Sequence, residues 1–435
     1  MATPRSSPRA RNLSAPESDR AAAARALNQI VTKHRTSDQV IASVATPLGR
    51  DMLFGSLRYY CVLAAIISDH LERPLRQKDQ DLWCLMIVGA YQLRHSRVPD
   101  HAAIHATVQA CSALGKRWAR SLVNAVLRAV QRDTERSFDS ADYYPHWFSA
   151  RVAQDYPDQA ADVLAACLER APQTLRINVC RVDPDEFAQR LAETGIASRP
   201  GFIPSQRVLT EPLPIEQLPG YDSGLVSVQD AGAGFAPQLL NPQPGQRLLD
   251  TCAAPGGKLF HLLEACPELA AATAVEIAPA RTQHLVDEAA RLGHTARVIT
   301  ADATTLEWWD GELFDLVLVD APCSGSGTLR RHPEMKLLRS AADIASYQSL
   351  QQALLQSAWQ TLRPGGSLLY CTCSLFVAEN DDVISEFLAQ TSDAQMQAIS
   401  LPTGRATKYG WQLLPTEPRT DGFYYALLNK AATKD

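Results

Sequence analysis

Between residues 246 and 374 five short apolar runs alternate with helical segments, and this alternation restricts the possible folds more than any other feature of the chain. The runs are "QRLLDTCA", "AATAVEI", "TARVITADA", "FDLVLVDAPC" and "GSLLYCTCS", and each reads as a strand. Between them, "KLFHLLEAC", "RTQHLVDEAARLG" and "SLQQALLQSAWQTL" carry apolar residues at three- and four-residue steps, the spacing of a helix face. Repeated strand–helix units imply a parallel sheet with helices on both faces, and "RTDGFYYALLNK" adds a closing strand. The sequence thus predicts a Rossmann-like α/β body over residues 226–435.

The chain before it has a different texture. Residues 20–140 read as helix after helix, with nothing of period two, so an all-helical domain is predicted there. "MLFGSLRYYCVLAAIISDHL" reads as one long helix and "RSFDSADYYPHW" as a linker. Residues 145–225 form a small α+β connector: "TLRINVC" is a strand, and "DPDEFAQRLAETG" a helix with an Asp cap and a Gly stop. Residues 1–19 are basic and Ser-rich with no apolar stretch, so a disordered tail is expected rather than a secretory signal.

Charge divides along the same line. Residues 1–140 hold 20 Lys+Arg against 12 Asp+Glu, and residues 141–435 hold 22 against 35, a net of +8 beside −13. A basic helical segment fused to an acidic body points to a polyanion-binding module beside a catalytic one. Arg97, His101, Lys116, Arg117, Arg120 and Arg128 are candidates for a phosphate-contacting face. Ten cysteines without even spacing and without a CxxC pair predict neither a disulfide framework nor a metal site. No apolar run has membrane-spanning length. A cytoplasmic protein is expected, with no membrane partner, and nothing in the sequence demands more than a monomer.

Chemistry gathers at the predicted strand ends. In "LLDTCAAPGGK" a strand closes at Asp250 and Gly256-Gly257 open a helix, which lets a ligand approach the backbone. The spacing fits neither a Walker loop nor the dinucleotide G-x-G-x-x-G. Glu276 ends the second strand, where an acid is placed to bind ribose hydroxyls, and Asp302 ends the third, where it can accept from an adenine amino group. With no phosphate-binding Lys-Ser/Thr, this adenosyl pocket points to S-adenosylmethionine. Cys323 and Cys373 follow the next two strand ends, beside that pocket. A cysteine next to a methyl donor suits methylation of pyrimidine C5: addition of the thiolate at C6 makes C5 nucleophilic. Asp320 is placed to bond the pyrimidine edge.

"DTCAAPGGK", "DAPCSGSG", "RRHPEMK", "YCTCSLFVAEN" and "RTDGFYYALL" together resemble the RNA cytosine-C5 methyltransferases, and the helical part resembles the NusB-like domain that bacterial members carry. The resemblance covers nearly the whole chain. It implies a class I methyltransferase domain, S-adenosylmethionine as cofactor and small-subunit (16S) rRNA as substrate. It further implies Cys373 as nucleophile, Cys323 in product release, and Cys252, Ala253, Ala254, Pro255, Gly256, Gly257 and Lys258 as the cofactor loop, with Glu276, Asp302 and Asp320 as further contacts. Many members carry Ala or Ser where this chain has Cys371, for which no catalytic role is expected. Three rivals are weighed. An amino-methyltransferase carries an aromatic residue in place of Cys323. A DNA-type enzyme uses the Pro-Cys cysteine as nucleophile. A NusB-like RNA-binding protein has a vestigial methyltransferase body.

Overall fold

The computed structural model describes residues 15–133 and 136–432, which fall into two compact units. One comprises residues up to 149 together with 332–338, the other residues 150–331 and 339 onward.

The first unit is helical: α1 (Ala15–Lys33), α2 (Ser37–Val40), α3 (Pro47–Arg58), α4 (Tyr60–Asp69), α5 (Gln80–His95), α6 (Asp100–Ala113), α7 (Arg120–Arg132) and the start of α8 (His146–Asp155). Residues 1–14 of the expected tail lie outside the described residues, and its last five already form the start of α1. Leu27, Ile30, Leu53, Leu85, Ile87 and Leu127 are fully buried in one shared core. The single helix expected across Tyr59 is two helices, bent by 80°. The Tyr59 ring leaves the helix path to stack on His95, centroids 3.7 Å apart and planes 6° from parallel. The expected linker is also structured: Phe138 and Tyr143 pack on the helical core.

In the second unit, α9 (Ala160–Cys167) precedes a small antiparallel sheet of β1 (Thr174–Ile177), β2 (Ser198–Pro200), β3 (Gln206–Leu209) and β4 (Val226–Val228), in the order β2-β3-β1-β4. Helix α10 (Pro184–Glu193) covers it, N-capped by Asp183, whose carboxylate accepts from Asp185 N and Glu186 N. The sequence reading begins the catalytic body at Val226. The register instead pairs Val226 with Ile177, so β4 completes the small sheet.

After α11 (Ala236–Leu240) come β5 (Arg247–Asp250), α12 (Gly257–Ala265), β6 (Ala271–Glu276), α13 (Pro279–Leu292), β7 (Arg297–Thr300) and β8 (Phe314–Asp320). The short α14 (Met335–Leu338) lies in the helical unit. There the buried Glu334 carboxylate accepts from Ser37 N and Oγ at 3.1 and 2.6 Å, and Lys336 Nζ donates to the carbonyls of Arg58 and Tyr143 at 2.6 and 2.8 Å. The Arg58 carbonyl is one of those left open by the break at Tyr59. Then follow α15 (Ala341–Thr361), β9 (Leu362–Thr372), α16 (Asp381–Gln390), β10 (Ala394–Gln397), β11 (Arg405–Ala406), β12 (Trp411–Leu413) and β13 (Phe423–Lys430).

The five strands β9-β8-β5-β6-β7 are parallel, as the strand–helix alternation predicts. The sheet as a whole is mixed, which corrects the all-parallel expectation: β13 runs antiparallel to β9, and β12, β11 and β10 extend that edge antiparallel. Both faces are covered. Leu248, Leu316 and Leu369 pack on one side, and Leu249, Val317 and Leu368 on the other.

Candidate active site

The loop after β5 is pinned before it turns. Thr251 N donates to Leu318 O at 3.0 Å and Ala253 N to Val275 O at 3.1 Å, tying the loop to both neighbouring strands. Gly256 sits at φ +98°, and a Cβ there would lie 2.2 Å from the Phe260 ring, so only glycine lets the chain enter α12 at this point. Asp250 is buried beneath the loop, accepting from Cys252 N at 3.2 Å. Burial, reinforced by the charge of Asp320, raises its carboxyl to about 8.

Lys258, in the first turn of α12, reaches across to Asp320 at the end of β8, Nζ to Oδ2 2.7 Å. Burial works against its charge, yet Asp320 more than offsets this and holds the ammonium above the ordinary lysine range. The other oxygen of Asp320 accepts from the buried Cys371 thiol at 3.4 Å. Cys371 and Cys373 contribute to the same face, as strand alternation predicts. Burial and Asp320 push the Cys371 thiol far up, which keeps it a thiol.

The two strand-end cysteines meet. Cys323 Sγ and Cys373 Sγ are 3.4 Å apart across a sequence separation of 50 residues, and both are half-buried. With Cys323 as donor, the hydrogen bond holds the Cys373 thiol below the ordinary cysteine value, while Cys323 itself is pushed well above it. With the proton on Cys323, the contact favours charge on the Cys373 sulfur, an arrangement that suits a nucleophile with an attendant acid.

On the other side of Pro322, a cavity of about 100 Å³ brings together Cys252, Glu276, Asp302 and Thr304. Glu276 is buried; its Oε1 accepts from Ala278 N at 3.0 Å, and Arg281 stands 3.3 Å from Oε2. Asp302 Oδ1 accepts from Thr304 N and Oγ1 at 2.9 and 2.7 Å, so it also caps its own turn. Sequence reasoning missed Ile277 and Arg281. Ile277 is 65% exposed at the lip of this cavity, and a large apolar residue directly after the strand-end acid is its signal.

The profile of the 16S rRNA methyltransferase RsmB/F family matches residues 237–429, that of the NusB family residues 15–132, and that of the RsmF/B-like ferredoxin-like domain residues 144–216. Ribosomal RNA small subunit methyltransferase B of Pseudomonas syringae pv. tomato is 42% identical, over 89% of this chain and 90% of its own. The protein of the same name from Xylella fastidiosa (strain Temecula1) is 41% identical, over 94% and 97%. The chain belongs to the RsmB/F methyltransferase family. The solved structure of PH0851 superposes with a TM-score of 0.83 at 23% identity, covering 95% of this chain and 99% of that one, and shares the fold.

In this RsmB/F-family chain a cavity of about 590 Å³ lies at the opposite end of the sheet. It is lined by the starts of β6 and β7 and the end of α13, together with Cys180 and Arg181, and it holds none of the predicted site residues. The helical unit alters one expectation. Lys116 is closed off in ion pairs with Asp79 and Asp81 at 2.8 and 2.6 Å, so its charge is spent inside the unit. Beside it Trp118 is 62% exposed between Arg117 and Arg120, a plane on which a nucleic-acid base can stack. Among the described residues no group of His, Cys, Asp and Glu is arranged to hold a metal, and no single helix is long and apolar enough to cross a membrane.

Proposed function

We infer that this chain transfers a methyl group from S-adenosylmethionine to C5 of a cytosine in small-subunit (16S) rRNA, through a covalent bond between Cys373 and C6 of the base. The observation that carries the reading is the pair of sulfurs 3.4 Å apart at adjacent strand ends, beside a buried Lys–Asp pair.

The cofactor fits the residues present. The Gly256-Gly257 turn opens α12 without a side chain in the way, the carboxylates of Glu276 and Asp302 face one cavity, and Ile277 offers an apolar surface for a flat ring. Cys252, Ala253, Ala254, Pro255, Gly256, Gly257 and Lys258 form the cradle. S-adenosylmethionine, when bound there, supplies an electrophilic methyl group.

The chain's own residues do the rest. The Cys373 thiolate adds to C6 of a cytosine displaced from its stack, and the ring becomes electron-rich at C5. Asp320, one-third exposed and oriented by Lys258, bonds the pyrimidine edge, and the ammonium beside it stabilises negative charge that develops on the ring. Once C5 has taken the methyl group and the donor has become a thioether, loss of the C5 proton to solvent and breakage of the sulfur–C6 bond return methylated base and thiolate. Cys323 assists that departure by donating to the leaving sulfur. The helical unit, with Trp118 and the arginines around it, holds flanking RNA by phosphate contacts and stacking.

The test is incubation of the purified chain with 16S rRNA transcript and S-adenosylmethionine, followed by nucleoside mass spectrometry. The expected product is 5-methylcytidine. Methylation at an exocyclic amino group or a ribose oxygen, with C5 untouched, would overturn the reading.

A further inference from the structure

The two cysteine loops are joined by more than their sulfurs. Behind them lies Glu379, fully buried and unused in the chemistry above. Its carboxylate accepts three hydrogen bonds: from Ser324 N at 2.7 Å, from Ser324 Oγ at 2.5 Å and from Ser374 Oγ at 2.5 Å. Ser324 directly follows Cys323 and Ser374 directly follows Cys373, so one carboxylate grips the residue next to each sulfur.

The surroundings extend the grip. Ser326 Oγ lies 3.1 Å from Ser374 Oγ and accepts from Leu375 N at 2.8 Å. Asn380, the next residue after Glu379, accepts from Thr372 Oγ1 at 2.6 Å and donates to Ser374 O at 3.0 Å. Burying a carboxylate is costly unless its oxygens are satisfied, and here three donors from two loops satisfy them. Strand-end loops have torsional freedom of their own, and a hydrogen bond between sulfurs weakens steeply with distance. The loops also meet directly, through Gly327 N to Cys373 O at 2.9 Å and through the serine hydroxyls, and the carboxylate adds short bonds from the residue directly after each cysteine.

We propose that Glu379 is a positioning residue that clamps the Cys323 and Cys373 loops to each other and so sets the sulfur–sulfur distance on which adduct chemistry depends. It touches neither base nor methyl donor and acts through Ser324 and Ser374. The proposal rests on the reading of the two cysteines as the reacting pair. Glutamine at this position keeps the size but replaces one acceptor oxygen by a donor, so it restores part of the clamp. Alanine restores none.

The experiment reads the clamp without RNA or cofactor. The full-length chain, Glu379→Gln and Glu379→Ala are exposed to diamide, which oxidises a nearby thiol pair to a disulfide. The rate of Cys323–Cys373 bond formation is followed by peptide mass spectrometry, with folding checked by near-UV circular dichroism. The expected order is wild type fastest, Gln slower, and Ala slower by at least about tenfold, because small misplacements of reacting atoms have large rate effects. In methyl transfer, Glu379→Ala lowers kcat by about 100-fold with the KM for RNA nearly unchanged, and Gln recovers part of the loss. A folded Ala variant that oxidises and turns over as wild type does overturns the proposal. Should Ala not fold, the same result in Gln overturns it. Should wild type show no methyl transfer at all, the functional reading falls, while the order of diamide rates still decides the clamp.

Discussion

Helix α12 carries a buried ion near each end, and the two are built differently. Near its carboxyl end, Glu264 meets Arg176 of β1 through both oxygens, Nε to Oε2 2.9 Å and Nη2 to Oε1 2.9 Å, with side chains 1% and 2% exposed. The same guanidinium donates to Gln229 and to Gly257 O at the other end of the helix. In its first turn, Lys258 meets Asp320 through a single 2.7 Å contact, and Asp320 is 33% exposed. The first pair is closed to solvent: two guanidinium nitrogens lie 2.9 Å from the two carboxylate oxygens, and the pair ties the small sheet to the helix. The second is partly open: Asp320 takes the ammonium on one oxygen and the Cys371 thiol on the other, yet a third of its side chain remains exposed. Burial of charge alone therefore does not mark a functional site. A charged pair left partly open to solvent among cysteine side chains is the better marker.

The two pairs respond oppositely to mutation if this distinction is right. Asp320→Asn should lower methyl transfer by about 10²–10³-fold, the range for removing one electrostatic contact to a developing charge, and should cost less stability than the change at Glu264, because the amide oxygen still accepts from Lys258. Equal loss of activity and folded protein would make the two pairs alike. Glu264→Ala should cost roughly 3–5 kcal/mol in denaturant unfolding, because it strands a buried guanidinium, while kcat per folded molecule stays near wild type. Just before the helix, Gly256→Ala should cost about 1–3 kcal/mol and weaken cofactor binding, since the residue at φ +98° must shift away from Phe260. Calorimetry and equilibrium dialysis with S-adenosylmethionine check both parts.

A further effect is a pH slope. Asp250, raised to about 8 in the folded chain, has an ordinary value of about 3.9 when unfolded. Between these the folded form binds more protons than the unfolded one, so stability falls as pH rises from about 4 to 8. Asp250→Asn should flatten that slope and leave Glu264's contribution unchanged. A slope that survives in the variant places the titration elsewhere.

How much of this the sequence discloses follows from the range of the interactions. The five parallel strands, the Gly256 turn and the Asp183 cap are local in origin, and all were legible. The meeting of Cys323 with Cys373, of Lys258 with Asp320, and of Glu276 with Asp302 in one cavity follows from strand ends sharing one edge. The break at Tyr59 was not legible, because it depends on a stack with His95 on another helix. The antiparallel edge depends on which side of β9 the last strand chooses, and that is settled by long-range register. Lys116 reads as a free cation until Asp79 and Asp81 are found beside it. Glu379 reads as a surface acid beside Asn380 and Asp381; its burial is visible only once Ser324, 55 residues away, is in place. Residues whose environment is made by distant partners are the ones a single sequence conceals.

The measurement to make first is adduct trapping. Cys323→Ala and Cys373→Ala are mixed separately with 16S rRNA transcript and S-adenosylmethionine, and RNA–protein adducts are resolved on a denaturing gel. Cys373 as nucleophile and Cys323 as its attendant acid predict that Cys323→Ala accumulates adduct and Cys373→Ala forms none. Adduct in Cys373→Ala and none in Cys323→Ala would exchange the two roles and contradict this account of the 3.4 Å sulfur pair.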